Sequence, residues 1–153
     1  MKAISLIITV VAALSLAGLS AALAAGSSGR RPATVSTART GLGRVIVNGR
    51  GLTLYLFEKD RRGRSACSGV CAGYWPPLLT HGKPLAANGA RRSLLGTIRR
   101  SDGTTQVTYA GHPLYRYQQD TKRGQTTGEG SNLFGAGWDA LSPAGNKIEN
   151  DED

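Results

Sequence analysis

The sequence predicts a small, mainly β domain built from two tandem, pseudo-symmetric β-meander repeats packed together. Three observations carry this reading. The 153 residues include 21 Gly and 6 Pro but only 9 Phe, Trp and Tyr, a composition that excludes a long-helix bundle because Gly and Pro both penalise helix interiors. Short β-prone runs alternate with Gly-containing turns. The chain also matches itself at an offset of 60 residues.

Taken in order, the N-terminus comes first. Lys2 precedes the uncharged segment Ala3–Ala25, and the apolar run Ile4–Leu23 ends with Ala22 and Ala24 in an A-x-A arrangement. Residues 1–24 are therefore expected to be a cleaved signal peptide, with no stable membrane span once it is removed. The alternative is a retained anchor, because the run is long enough to cross a hydrocarbon core at ~1.5 Å per residue. Leu23-Ala24-Ala25 is followed by Gly26 where a lipobox would place Cys, so lipid attachment at that position is chemically excluded. Residues 25–40 read as a Ser-, Gly- and Arg-containing flexible leader that ends in a first strand at Ala33–Thr37. The two-repeat domain is expected over 41–147, with repeat one at about 41–80 and repeat two at about 101–142. Residues 148–153 form an acidic tail holding Glu149, Asp151, Glu152 and Asp153.

The repeat rests on scarce residues kept in register. Tyr55-Leu56-Phe57-Glu58-Lys59-Asp60 matches Tyr115-Arg116-Tyr117-Gln118-Gln119-Asp120, and upstream Gly43 pairs with Gly103, Val47 with Val107, Gly51 with Gly111 and Leu54 with Leu114. Tyr74 matches Phe134, and after a drift of three residues Trp75-Pro76-Pro77-Leu78 matches Trp138-Asp139-Ala140-Leu141. In unit one, Arg44–Val47 and Leu52–Phe57 read as strands around the turn Asn48-Gly49-Arg50-Gly51. In unit two, Leu94–Arg99, Gln106–Tyr109 and Leu114–Gln118 form a three-stranded meander through Ser101-Asp102-Gly103 and Ala110-Gly111-His112-Pro113.

Period-two alternation puts Tyr55 with Phe57, and Tyr115 with Tyr117, on one strand face, which is expected to be the buried one. Asp60 and Asp120 fall just past these strands. Asp60-Arg61-Arg62-Gly63 suits a type I turn, so both carboxylates are first read as turn-formers; a pair facing across the pseudo-dyad, as a hydrolase would need, is the sharper alternative. Tyr74, Trp75, Phe134 and Trp138 are expected to close the core. One such unit buries too little surface to fold comfortably alone, so each should shelter the other.

These residues resemble the secreted lipoprotein-repeat family of bacterial envelope proteins, defined by a recurring Y-x-[FWY]-x-x-D motif. Cys67-Ser68-Gly69-Val70-Cys71 followed by Trp75-Pro76-Pro77-Leu78-Leu79, Ser101-Asp102-Gly103-Thr104-Thr105-Gln106-Val107 and Gly111-His112-Pro113-Leu114-Tyr115 add to the resemblance, which spans roughly residues 41–146. It implies a repeat fold and an envelope or extracellular location. It brings no activity or catalytic residue. Without the lipobox Cys, this chain is expected to be freely secreted or periplasmic.

Cys67 and Cys71 lie in one loop of an exported chain, where a disulfide is the leading interpretation. Thiol-redox chemistry is one alternative. Another is a copper site formed by the two cysteines with His81 or His112, since soft thiolates suit Cu(I). Without that alternative, no cofactor is expected. G-x-S-x-G, H-E-x-x-H, Walker and dinucleotide fingerprints are all missing from the sequence, so a non-enzymatic binding or structural module is favoured.

The charge points the same way. Lys and Arg number 19 against 10 Asp and Glu, a net of +9. For an exported protein this suggests anionic envelope components, namely lipids, wall polymers or polysaccharides, instead of nucleic acid. Because Arg61-Arg62, Arg91-Arg92 and Arg99-Arg100 are scattered among turns, a merely solvated surface is the competing reading.

Overall fold

Turn chemistry and β-branched residues dictate a series of short strands, and a computed structural model describes them over residues 31–149. The predicted signal peptide, the start of the leader and most of the acidic tail lie outside the described residues. Strand β1 (Thr34–Thr40) pairs antiparallel with β2 (Gly43–Asn48), in register from Val35 opposite Asn48 to Thr40 opposite Gly43. The first strand is thus longer than the sequence suggests. Thr34, Val35, Thr37 and Thr40 supply β-branched side chains, and alternate burial of Val35 and Thr37 outweighs the indifferent Ala and Ser between them. A two-residue strand, β4 (Leu85–Ala86), adds in parallel to the other edge of β1.

In the second unit β5 (Leu95–Arg99), β6 (Thr105–Tyr109) and β7 (His112–Pro113) form a meander whose first two strands are those expected, while the third is His112–Pro113, two residues the sequence places in the turn, and not Leu114–Gln118. The two hairpin turns differ by one residue. Tyr109 and His112 flank a two-residue turn with positive φ at both Ala110 (51°) and Gly111 (84°). Unit one uses Asn48–Gly51, where the Asn48 side chain accepts the N–H groups of Arg50 (2.9 Å) and Leu52 (3.1 Å). The longer turn shifts the correspondence of the preceding strand. Leu54 and Leu114 donate their N–H groups to the carbonyls of Ile46 (3.1 Å) and Val107 (3.0 Å), so Ile46, and not Val47, is the structural partner of Val107.

The third strand of each predicted meander stays with its own unit only at its start, through Val47 opposite Thr53 and Thr108 opposite Pro113. Beyond that point it crosses to the other repeat. Strand β3 (Tyr55–Phe57) pairs antiparallel with β8 (Trp138–Ala140) of repeat two, and Tyr115 bridges both Tyr55 and Pro77 of repeat one. Each W-x-x-L segment is therefore handed across to the other unit. The N–H of Ile46 donates to Leu141 O (2.9 Å), just as that of Val107 donates to Leu78 O (2.8 Å).

Because β3 is covered by strands and side chains all round, Leu56 is as buried as Tyr55 and Phe57. This corrects the expectation of one buried face. Tyr55, Phe57, Tyr115 and Tyr117 belong to an aromatic core, while Leu54, Leu56 and Leu114 belong to an aliphatic one with Val35, Ile46, Val107, Tyr109 and Leu141. A strand buried on both faces loses its alternation and reads as a continuous apolar run.

Tyr74 and Phe134 are the second correction. Both are exposed, at 42 % and 36 %, whereas Trp75 and Trp138 are fully buried. Helix α1 (Val70–Tyr74) supplies the reason, since residues four apart share a helix face. Cys71 and Trp75 take the inward face and leave Val70 and Tyr74 outside. Phe134 sits in a 3-10 turn with φ of 67°, and its ring meets that of Tyr74 at 5.8 Å on the surface. Among the described residues, no helix is long and apolar enough to cross a membrane.

Candidate functional site

At the pseudo-dyad the two motif tyrosines exchange backbone hydrogen bonds, Tyr55 N–H to Tyr115 O (2.9 Å) and Tyr115 N–H to Tyr55 O (3.0 Å). Their side chains then diverge, each toward the aspartate of the other repeat. The Tyr55 hydroxyl donates to Asp120 Oδ2 at 2.5 Å, and the Tyr115 hydroxyl donates to Asp60 Oδ2 at 2.8 Å. The Y-x-[FY]-x-x-D motif is thus a cross-repeat latch. Burial, reinforced by the neighbouring aspartate, pushes both phenols well above the ordinary tyrosine range, so they remain donors.

The remaining carboxylate oxygens tie the following loops. Asp120 Oδ1 accepts from the Thr127 N–H (3.1 Å) and hydroxyl (2.5 Å), and Asp60 Oδ1 accepts from the Ala66 N–H (2.6 Å). The expected Asp60–Gly63 turn is displaced by one residue, because Asp60 is drawn to Tyr115 and the tight turn closes between Arg61 and Arg64 instead. No hydrogen bond joins Asp60 to Asp120, since each is held by the opposite tyrosine. Burial raises the Asp60 pKa, opposed by the Ala66 N–H, the Tyr115 hydroxyl and the charge of Arg100.

Beside the latch stands a column of four rings. Phe57 stacks on Trp138 (4.0 Å between centroids), Trp138 on Trp75 (4.0 Å) and Trp75 on Tyr117 (4.4 Å). Consecutive rings alternate between repeats. Tyr55 and Tyr115 meet Trp75 and Trp138 edge-on at 5.4 and 5.1 Å, the geometry favoured by the ring quadrupole. Gly128 lies against the column, where a Cβ would come within 2.7 Å of the Trp75 ring. Both motifs and both tryptophans are accordingly consumed in joining the two halves.

Cys67 and Cys71 form a buried disulfide with Cα atoms 5.3 Å apart. His81 is exposed in the loop before β4, and His112 lies half-buried in β7, where burial and the nearby Arg62 lower its pKa. Among the described residues, no group of three or more His, Cys, Asp and Glu side chains is arranged to hold a metal.

Sequence reasoning missed a polar cluster attached to the latch. Arg100 is only 6 % exposed and donates from Nη1 to Gln106 Oε1 (2.7 Å) and Ser65 Oγ (2.9 Å), and from Nη2 to Cys67 O (2.7 Å). Ser65 Oγ lies 2.7 Å from the Tyr115 hydroxyl, which connects the guanidinium to Asp60. Gln106 Nε2 in turn donates to Leu114 O (2.8 Å). One signal was present: Arg100 follows Ile98 at the spacing that shares a strand face, so one arginine of the Arg99-Arg100 pair had to turn inward.

No curated protein matches the chain, and neither does any solved structure. The family model of a secreted repeat of unknown function (Lipoprotein_15) matches it twice, over residues 36–79 and 96–142. The first match begins inside β1 and the second inside β5, so each includes most of its own sheet and its motif. With more than half of its length covered by these two matches, the chain belongs to this family of secreted repeats.

Proposed function

We propose that this protein is a non-enzymatic binding module of the bacterial envelope, freely secreted or periplasmic and not lipidated through a lipobox Cys, that holds anionic wall polymers on its surface. The observation that carries this reading is the sorting of charge by burial. Residues 31–149 contain 17 Lys and Arg and 7 Asp and Glu; 15 of the cations are exposed, but only Glu58, Asp102 and Glu149 among the acids. Of the other acids, Asp120 is buried and Asp60, Glu129 and Asp139 are half-buried. Asp60 and Asp120 serve the latches, and Glu129 Oε2 accepts the Ala140 N–H at 2.7 Å. Among the described residues the exposed charges are therefore more one-sidedly basic than the 17 to 7 total, and such a field concentrates polyanions nearby.

Retention of the protein on immobilised poly(glycerol phosphate), with neutral dextran as control, tests the reading. Binding should be strong at about 0.05 M salt and nearly absent at about 0.5 M. Equal retention on dextran, or retention that salt does not change, would refute it.

A further inference from the structure

We propose that the groove between the disulfide loop and the β5–β6 turn is a specific site for a phosphate or phosphodiester group, built around Arg100. This deepens the reading above and rests on it. The groove has a volume of roughly 680 Å³, and its lining includes Arg64, Ser65, Ser68, Arg99, Arg100 and Ser101. Three arginines and three serines line this one concavity, and donors of these types match an oxyanion, which accepts hydrogen bonds at every oxygen.

The decisive feature is the charge of Arg100. Burying a guanidinium costs several kcal/mol unless an anion compensates it, yet its close partners, Ser65, Gln106 and the Cys67 carbonyl, are all neutral. Its Nε–H is buried and has no hydrogen-bond acceptor. The nearest carboxylate oxygen, Asp102 Oδ2, is 3.8 Å from Nε on an exposed side chain whose Oδ1 already accepts from the Thr104 N–H and hydroxyl. Asp60 is connected to Arg100 only through Tyr115 and Ser65. Among the described residues, Arg64 and Arg99 form no salt bridge. An incoming oxyanion would add a closer countercharge than the exposed Asp102 carboxylate supplies at 3.8 Å.

The other repeat lacks this arrangement. Ala38 opposite Val45 matches Ile98 opposite Gln106, and Thr40 takes the position of Arg100. One site per chain is therefore expected.

Calorimetric titration of the full exported chain with inorganic phosphate, and separately with poly(glycerol phosphate), tests the proposal. The double variant Arg64→Ala, Arg99→Ala should weaken phosphate binding about tenfold. Arg91→Ala, Arg92→Ala, which removes the same charge from another exposed stretch, should change it less than about twofold. Asp102→Asn should tighten binding several-fold, a gain that no folding defect mimics. Equal weakening in both double variants, or no gain with Asp102→Asn, overturns the site while the polyanion reading stands. If the parent binds neither probe, both fall. Polymer binding without phosphate binding overturns the phosphate site alone.

Discussion

In the first repeat the loop after the motif is closed covalently by Cys67–Cys71 and a short helix, while in the second the equivalent loop is closed by its own backbone. There, the Trp138 N–H donates to Ser131 O (2.8 Å), the Gly130 N–H to Trp138 O (2.9 Å) and the Trp138 indole N–H to Leu133 O (2.8 Å). Both loops nevertheless deliver a tryptophan to the same column at the same 4.0 Å contact. The two copies share the residues that pair symmetrically across the dyad: Tyr, aromatic and Asp recur because each completes a pair with its counterpart in the other copy. Arg100 also reaches the other copy, at Ser65 and Cys67, but Thr40 stands at its position in repeat one, so that contact occurs once.

The column should show the largest effects. Trp75→Ala and Trp138→Ala each remove a buried central ring and should cost about 3–5 kcal/mol in denaturant unfolding. The milder Trp→Phe changes sharpen the comparison. Trp138→Phe also discards a satisfied indole hydrogen bond, whereas the Trp75 indole nitrogen has no partner. The second-repeat variant should accordingly be less stable than the first by about 1 kcal/mol. Equal losses would mean that the two loops support their tryptophans alike.

Next comes the cross-link. Replacing Cys67 and Cys71 with Ser should destabilise the chain by about 2 kcal/mol, the chain-entropy value for so short a loop. A loss of both repeats together, detected as one coincident melting transition by near- and far-ultraviolet dichroism, would show that the disulfide loop supports the shared core. Separate transitions would break the picture of one interlocked unit.

The latches should differ more subtly. Tyr55→Phe leaves Asp120 Oδ2 without a donor on a residue 2 % exposed, although Thr127 still donates to Oδ1, and should cost about 1–2 kcal/mol. Tyr115→Phe should cost less, because Asp60 is more exposed and remains within the field of Arg100. Combining each change with the matching Asp→Asn in a double-mutant cycle measures both couplings. A Tyr115–Asp60 coupling as large as the other would contradict this ranking.

The smallest effect concerns His112, which occupies the position of buried Leu52 in the first hairpin. Burial and Arg62 place its folded pKa below the usual 6.5, so the unfolded chain binds the proton more readily. Its contribution is therefore complete above about pH 6.5 and is lost as pH falls toward the depressed folded value. Asp60 has the opposite sign: its raised pKa makes acidification through that pKa stabilising until the unfolded carboxyl also protonates. Melting temperatures between about pH 7 and pH 5.5 should fall less for His112→Leu than for the parent. An identical slope would show that His112 is not the titrating group.

Much of the architecture was legible as local pattern. Gly51 and Gly111 announce their turns because few other residues tolerate their positive φ (82° and 84°), and Asn48 adds a side chain that caps the first turn; Ala110, at a φ of 51°, gives no such signal. Val45–Val47 and Gln106–Tyr109 announce strands, and two cysteines four apart in an exported chain leave each other as the available partner. The site was less legible. Period two says which side chains share a face, but not whether both faces are covered, so it does not reveal that Leu56 is buried along with Tyr55 and Phe57. The short helix α1 turns Tyr74 to the surface, because helical spacing gives the inward face to Cys71 and Trp75.

Duplication, strand positions, turn chemistry and cysteine pairing were thus written in neighbouring residues, since short-range sterics and hydrogen bonding settle them. Which tyrosine grips which aspartate was not, for those partners stand 65 and 55 residues apart and meet only after the W-x-x-L segments have changed places. The same holds for Arg100. Its inward turn and its wholly neutral set of hydrogen-bond partners exist only because Ser65, Cys67 and Gln106 converge on it from two different repeats, and such long-range encounters leave no trace in local periodicity.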